Sequence, residues 1–256
     1  FETAGFVANG FVSRKFGFER GWSYFTNYIR EGKISAASHV YDEVIGWLDA
    51  REDKSKRFFL YVQTIDPHVP YQVGREYTKI YHPEPYDGIV THKFRGDAMV
   101  ELQKGDQLKE ADHAWIKALY YGETTYHDEH MGRLFDKLEA EGILDETFVI
   151  ITNDHGEELD DHGKLGHGHS LYDELIRAPM LMRFPARIPG DLQLVEPIES
   201  VDIAPTVLDV LGLPPNEQYE AFSVMPVIEG RPLQRPFYTM TDFLDRRRAL
   251  RIGNWK

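Results

Sequence analysis

"TFVIITNDHGE", residues 147–157, decides the fold. Phe148 to Ile151 form an unbroken apolar run, dense in β-branched residues and too short to be a helix of its own. Such a run, closed by Asn153 and Asp154, reads as a buried strand, here a central strand of a parallel sheet over 147–154. In open α/β sheets ligands bind beyond the carboxyl ends of the strands. The residues that leave this strand, Asp154 and His155, therefore open a candidate site. Four histidines (His155, His162, His167 and His169) and seven carboxylates follow within residues 152–174, with glycines between them.

Outward from this strand the pattern alternates. "AGFVANG" (4–10) is a strand running into an Asn-Gly turn. "FGFERGWSYFTNY" (16–28) reads as an aromatic loop used for packing. Residues 37–53 carry Val40, Val44, Ile45 and Leu48 at helical spacing, with Ser38 as a candidate N-cap. "RFFLYVQTID" (57–66) is a second buried strand, and it runs into the turn "DPHVPY". Residues 72–106, rich in Tyr, Pro, Gly and Lys and without period, read as a surface excursion with lid character. A long helix is expected from about Gln107 to Gly142, with Trp115, Leu119, Tyr126, Met131, Leu134 and Leu138 on its apolar side. "APMLMRFP" (178–185) is a further strand and "SVDIAPTVLDVLGLPP" (200–215) a short helix. "RPFYTMTDF" and "RRRALRIGNWK" suggest a small C-terminal sheet. Alternating strands and helices imply an α/β layered fold with a mainly parallel central sheet.

The chain has 256 residues, 42% hydrophobic and 13% aromatic, enough for one large core or for one domain with a small appendage. A net charge of −13 argues against nucleic acid as the partner. An anionic substrate needs a local exception, a metal ion or a few cations. With no Cys there is no disulfide framework, no thiolate metal site and no Cys nucleophile in these residues. The chain opens on a strand already under way and ends in another, so it reads as a piece of a longer protein.

Two polar clusters stand at strand ends, "DPHVPY" and "NDHGE". Asp154 offers a hard oxygen and His155 a borderline nitrogen, a pair compatible with Mn, Zn, Mg or, less comfortably, Ca. The alternative is an Asp capping the next helix and a His filling a loop. His167, between Gly166 and Gly168, suits proton donation to a leaving oxygen or anion binding, and His68 suits the same work from the other strand end. Both are expected to face one cleft, across from the Asp154–His155 pair. Turn histidines without chemistry are the plainer reading of each. His162 and His169 suit loop solvation or hydrogen bonding behind the ligands. His127 and His130, spaced i, i+3, read as surface residues of the long helix, and "DRRRALR" as a solvated strand edge. The surplus of acidic groups around these histidines raises imidazole pKa values.

Taken together, the segments resemble the sulfatase branch of the alkaline phosphatase superfamily. "TAGFVANGFVSRKFGFERGW" is similar to the family's segment ending in "FG…GF", and "DPHVPY" to its substrate-histidine turn. "YYGETTYHDEHMGRLFDKLEAEGILDETFVIITNDHGE" is similar to its long helix, strand and metal loop. "GHGHSLYDELIRAPMLMR" and "SVDIAPTVLDVLGLP" resemble the two segments that follow. The resemblance implies an alkaline-phosphatase-like, mainly parallel sheet between helical layers, with a small C-terminal antiparallel sheet. Residues 1–215 would then be part of the catalytic domain and 216–256 the start of a small C-terminal subdomain.

The resemblance also assigns roles. The family's metal pair falls on Asp154 and His155, its substrate-contacting histidine on His68, and its basic ester-contacting residue on His167. The implied cofactor is one divalent metal ion, Ca from the family, with Mn, Zn or Mg as alternatives. The implied partner is a small anionic sulfate or phosphate ester. The family's nucleophile, a Cys converted to formylglycine in C-x-P-x-R or a Ser or Thr in relatives, is expected upstream, so this segment alone should be inert. Three functions follow as expectations: sulfate monoester hydrolysis, phosphonate or phosphodiester hydrolysis or phosphoglycerol or phosphoethanolamine transfer on the same scaffold, and ligand binding without catalysis.

Overall fold

The computed structural model describes residues 1–91, 99, 101, 102, 107–231, 238–241 and 248–251. It divides into two units, residues 1–144 with 162–166, and residues 145–161 with 167–256.

The first unit is built on three parallel strands, β1 (Glu2–Val7), β2 (Tyr24–Asn27) and β3 (Phe58–Gln63), in the order β2-β1-β3. Ala4 pairs with Tyr24 on one side and Leu60 on the other, and Phe6 with Thr26 and Val62. Because side chains alternate along a strand, Ala4, Phe6, Leu60 and Val62 share a face. Helix α1 (Ala37–Ala50) lays Val40, Val44 and Trp47 on that face, and Leu134 of the long helix α3 (Glu110–Ala140) joins them. The other face carries Trp22, whose ring centroid lies 5.6 Å from Phe59, 6.3 Å from Tyr61 and 6.4 Å from Phe25. A short helix α2 (Arg75–Tyr81) packs along α3.

Four expectations are corrected here. The aromatic loop contains β2: Tyr24, Phe25 and Thr26 are residues that suit a pleated, half-buried surface. The aperiodic stretch after residue 72 contains α2, too short to show a period; residues 92–98, 100 and 103–106 of that excursion lie outside the described residues. Ser38 does not cap α1. The carboxylate of Asp66, in the turn that follows β3, accepts the Ala37 N–H at 2.8 Å and does the capping from a distance. His127 is not a surface residue: it is half-buried with Nε2 3.1 Å from the Tyr41 hydroxyl of α1, and burial pushes its pKa down.

In the second unit β4 (Val149–Thr152) pairs antiparallel with β7 (Met180–Arg183), Val149 opposite Arg183 and Thr152 opposite Met180. The strand itself was readable, but not this neighbour. An apolar run reports burial, whereas the direction of the partner is set by where the chain returns. Between them lie the two-residue strand β5 (Glu158–Leu159) and the single-turn helix α4 (Asp173–Ile176). The two-residue strand β6 (Leu165–Gly166) belongs to the first unit.

Downstream, α5 (Ile203–Val210) is anchored by the buried Asp202, whose carboxylate accepts the Glu199 and Phe222 N–H groups at 2.9 and 3.1 Å. Helix α6 (Met225–Ile228) follows, and β8 (Tyr238–Thr241) and β9 (Arg248–Arg251) form a small antiparallel sheet. Of "DRRRALR", Asp245, Arg246 and Arg247 lie outside the described residues. The architecture is α/β, with a parallel sheet and small antiparallel ones. No described helix is long and apolar enough to cross a membrane.

Candidate active site

Strand β4 ends at Thr152, whose hydroxyl donates to the Pro179 carbonyl at 2.9 Å and so ties the strand end to the chain entering β7. From this fixed point Asn153, Asp154, His155 and Gly156 turn away. The turn is pressed against α4: the Gly156 N–H donates to the Leu175 carbonyl at 2.8 Å. A Cβ at position 156 would stand 2.0 Å from the Glu174 carbonyl oxygen, so only glycine fits there.

His155 Nδ1 lies 2.8 Å from the Gly156 carbonyl. A carbonyl only accepts, so Nδ1 carries a proton and Nε2 is the nitrogen left to other partners. That Nε2 is 3.9 Å from Asp154 Oδ1. One cation with ordinary bond lengths of ~2.0–2.6 Å spans such a pair of donors. The Asp154 side chain is 67% exposed and the His155 side chain 38% exposed, so both are reachable. The two residues therefore fit a divalent ion as part of its shell. Among the described residues no group of three or more His, Cys, Asp or Glu is placed to hold one alone.

His167 comes to the same place from the other end of the loop. Gly166 and Gly168 beside it take φ of 87° and 82°, the left-handed region that glycine adopts without strain. Its ring centroid lies 4.1 Å from that of His155 at an interplanar angle of 35°. The expected separation of His167 from the Asp154–His155 pair is thus replaced by direct contact. His167 Nδ1 is 3.0 Å from Glu157 Oε1. That hydrogen bond, more than any other influence, raises the His167 pKa, with Glu157 and Asp154 adding charge attraction against the cost of burial.

Behind this layer Glu158, fully buried, accepts from His169 Nε2 at 2.9 Å and from the Ser170 hydroxyl at 3.3 Å. Consecutive glutamates thus hold the "GHGHS" segment at His167 and at His169 with Ser170. Reading the histidines one by one missed this. The signal was the Glu157-Glu158 pair itself, acidic residues directly after a turn glycine and facing a His-rich return. His162 is exposed on the 162–166 segment.

His68 lies in the first unit. It is exposed, its N–H donates to the Ile65 carbonyl at 2.7 Å, and its Nδ1 lies 2.6 Å from the Val69 carbonyl. The ring is therefore oriented by its own turn, with Nδ1 as the donor.

A family model described as Sulfatase matches residues 5–213. The chain is 30% identical over 238 residues to an arylsulfatase of Clostridium perfringens, covering 89% of this chain and 46% of that protein. It is 28% identical to a choline-sulfatase of Rhizobium meliloti, over 80% of this chain and 43% of the relative. A multifunctional alkaline phosphatase superfamily protein of Trinickia caryophylli is 27% identical over 78% of this chain and 43% of that protein. Among solved structures, one in complex with its substrate D-glucosamine-2-N,6-O-disulfate superposes with a TM-score of 0.80 at 18% identity, covering 98% of this chain and 69% of the other. A phosphonate monoester hydrolase of Agrobacterium radiobacter superposes with a TM-score of 0.70 at 19% identity, covering 96% and 64%. The chain spans less than half the length of these three curated relatives.

Proposed function

The chain belongs to the sulfatase family, and from that premise we propose that it supplies the metal-and-histidine half of a hydrolase acting on sulfate monoesters. One observation carries the reading. Within one loop a carboxylate, an imidazole whose Nδ1 is held by a backbone carbonyl and a carboxylate-braced imidazole come together at the end of β4. Asp154 and His155 have the character of ligands, and His167 that of a cation and proton donor.

In this reading Asp154 and His155 hold a divalent ion, Ca2+ being the family's expected choice and Mn2+, Zn2+ or Mg2+ the alternatives. Bound there, the ion supplies charge neutralisation for the ester oxygens and a lowered pKa for the attacking group. The nucleophile is placed outside these 256 residues, which contain no Cys. The residues of this chain do the remaining work. Attack at sulfur breaks the S–O bond to the alcohol, whose oxygen leaves with the electron pair. His167, with Nδ1–H given to Glu157, delivers its Nε2 proton to that oxygen and meanwhile offsets charge on the ester. His68 binds the anionic group.

Phosphonate or phosphodiester hydrolysis is the second reading. It is favoured by the likeness to the multifunctional superfamily protein and by a site whose groups address any tetrahedral oxyanion. The test is the full-length polypeptide assayed with nitrophenyl sulfate and with a nitrophenyl phosphonate at matched concentrations. Sulfate turnover that is lost in Asp154→Ala and His167→Ala supports the first reading. Turnover of the phosphonate alone replaces it with the second, and turnover of neither, with retained binding of sulfate, leaves the non-catalytic alternative.

A further inference from the structure

A cavity of about 370 Å³ lies wholly within the first unit, between α2, the loop 84–91 and the start of α3. Its size falls in the range of small-molecule sites, ~300–1,000 Å³. One wall is a face of α2. Arg75 and Lys79, four residues apart, stand on the same side of that helix, and His82 continues the side just past its end. Both Arg75 and Lys79 are exposed. Among the described residues neither the Arg75 guanidinium nor the Lys79 ammonium has an ion pair or a hydrogen bond. In a chain with a net charge of −13, two neighbouring cations are thus left unneutralised along one cavity wall.

The opposite side is firmly built. Trp115 of α3, 5% exposed, forms the floor, and the Tyr86 ring stacks on it with centroids 4.7 Å apart and planes at 11°. The Tyr86 hydroxyl donates to Asp112 of α3 and accepts the Val90 N–H at 3.0 Å. Asp112 also accepts the Ile89 N–H at 3.4 Å and the Lys109 N–H at 2.8 Å. The loop is therefore tied to α3 at both Tyr86 and its far end. His82 stands edge-on to Trp115, centroids 5.4 Å apart at 88°. Its Nδ1 lies 3.0 Å from the Glu84 carbonyl, which only accepts, so Nδ1 carries a proton and Nε2 is left to other partners. Glu84 also lines the cavity. Its carboxylate repels an anion, which places the anion on the α2 side.

We propose that this cavity is an oxyanion site in which Arg75 and Lys79, with His82 beside them, take a sulfate-type group above Trp115. Arginine offers a planar fork that matches two oxygens of a tetrahedral anion, and lysine a point charge for a third. None of these residues has a part in the ester cleavage proposed above. The anion has two possible sources: a second anionic group on the substrate, or free sulfate. Both rest on the sulfate-ester reading, whereas the binding itself does not.

The full-length protein is titrated with inorganic sulfate, and with chloride at matched ionic strength, while hydrogen exchange is followed in the peptide spanning 75–91. The comparison is with Arg75→Gln combined with Lys79→Gln, which also exposes any general salting effect of sulfate. Sulfate, and not chloride, should slow exchange of 75–91 in the wild type, and the variant should need ~10-fold or more sulfate for the same effect. No sulfate-specific protection in the wild type, or the same sulfate dependence in both proteins, overturns the proposal. A second arm identifies the source by kcat/KM for a nitrophenyl sulfate and for a sugar carrying two sulfate groups. A ~10-fold loss confined to the disulfated sugar assigns the site to a second group of the substrate. Unchanged kcat/KM on both, with protection lost in the variant as expected, assigns it to free sulfate. Equal losses on both would mean that Arg75 and Lys79 serve the reacting ester, and the proposal falls. Because the exchange arm needs no turnover, sulfate-specific protection in a protein that cleaves neither substrate removes the sulfatase reading and leaves the site standing.

Discussion

The His155 and His167 rings lie 4.1 Å apart, centroid to centroid, yet their Nδ1 atoms have opposite kinds of partner. His155 faces a backbone carbonyl, Gly156 O, and His167 a carboxylate, Glu157 Oε1. A carbonyl fixes a tautomer and a carboxylate stabilises a cation. In the proposed mechanism this difference in partner divides the labour: His155 would bind the metal through Nε2, and His167 would carry the proton for the substrate.

His167→Ala should therefore cost far more with alkyl esters than with nitrophenyl esters. A nitrophenolate leaves without help, whereas an alkoxide needs a proton in the transition state. General acid catalysis is worth ~10²–10⁴-fold, so the gap between substrates is measurable by steady-state kinetics. Glu157→Gln should act in the same direction with a smaller loss. His68→Ala should depress both substrate classes about equally, because lost anion binding does not depend on the leaving group. Equal losses across leaving groups in His167→Ala would show that His167 binds charge only.

Metal removal separates the ligands from their neighbour. Treatment with a chelator should abolish turnover, and a divalent cation should restore it. Calorimetric titration of the chelated protein should show affinity lowered by ~10-fold or more in Asp154→Ala and in His155→Ala. In His167→Ala the affinity should stay close to wild type while turnover does not recover. Unchanged cation binding in both Asp154→Ala and His155→Ala would remove the metal assignment.

Much of this was legible because it is written locally. The apolar run Phe148–Ile151 and the polar residues after it announce a strand end, and the strand end holds Asp154 and His155 in place. The long α3 announces itself by its apolar spacing. What stayed hidden depends on residues distant in sequence. The antiparallel pairing of β4 with β7 follows from the path of the returning chain, to which an apolar run is indifferent. Asp66 capping α1, Glu158 bonding His169 and Ser170, and Glu123 bonding Gln72 and Val73 are tertiary hydrogen bonds with no periodic trace. Strand β2 was hidden for another reason, since four residues are too few to display an alternation.

Gly156→Ala tests whether packing against α4 sets the ligand geometry. The new methyl group would meet the Glu174 carbonyl at 2.0 Å, and backbone must move to admit it. Overpacking of this kind costs ~1–3 kcal/mol, read as a lower midpoint in thermal or urea unfolding. The displaced turn carries Asp154 and His155, so cation affinity should fall in the same variant. Wild-type stability together with wild-type cation affinity would mean that the turn is free to shift away from α4 without consequence.

The last prediction concerns stability against pH. Burial pushes the Glu123 carboxyl up to about 7 from its ordinary 4.5, so between those values the folded state binds more protons than the unfolded one. Stability from this group is then fully present below the unfolded pKa and is lost as pH rises through the folded one, by up to about 3 kcal/mol. His167, also raised, adds a fall in the same direction, and His127, lowered by burial, works in the opposite sense as pH drops through its range. Their contributions persist in Glu123→Gln, so the difference between that variant and the wild type isolates Glu123. Urea unfolding at about pH 5 and about pH 8 should show the variant gaining on the wild type at the higher pH. A difference between the two proteins that does not change with pH would mean that Glu123 stays ionised, or stays protonated, throughout the range.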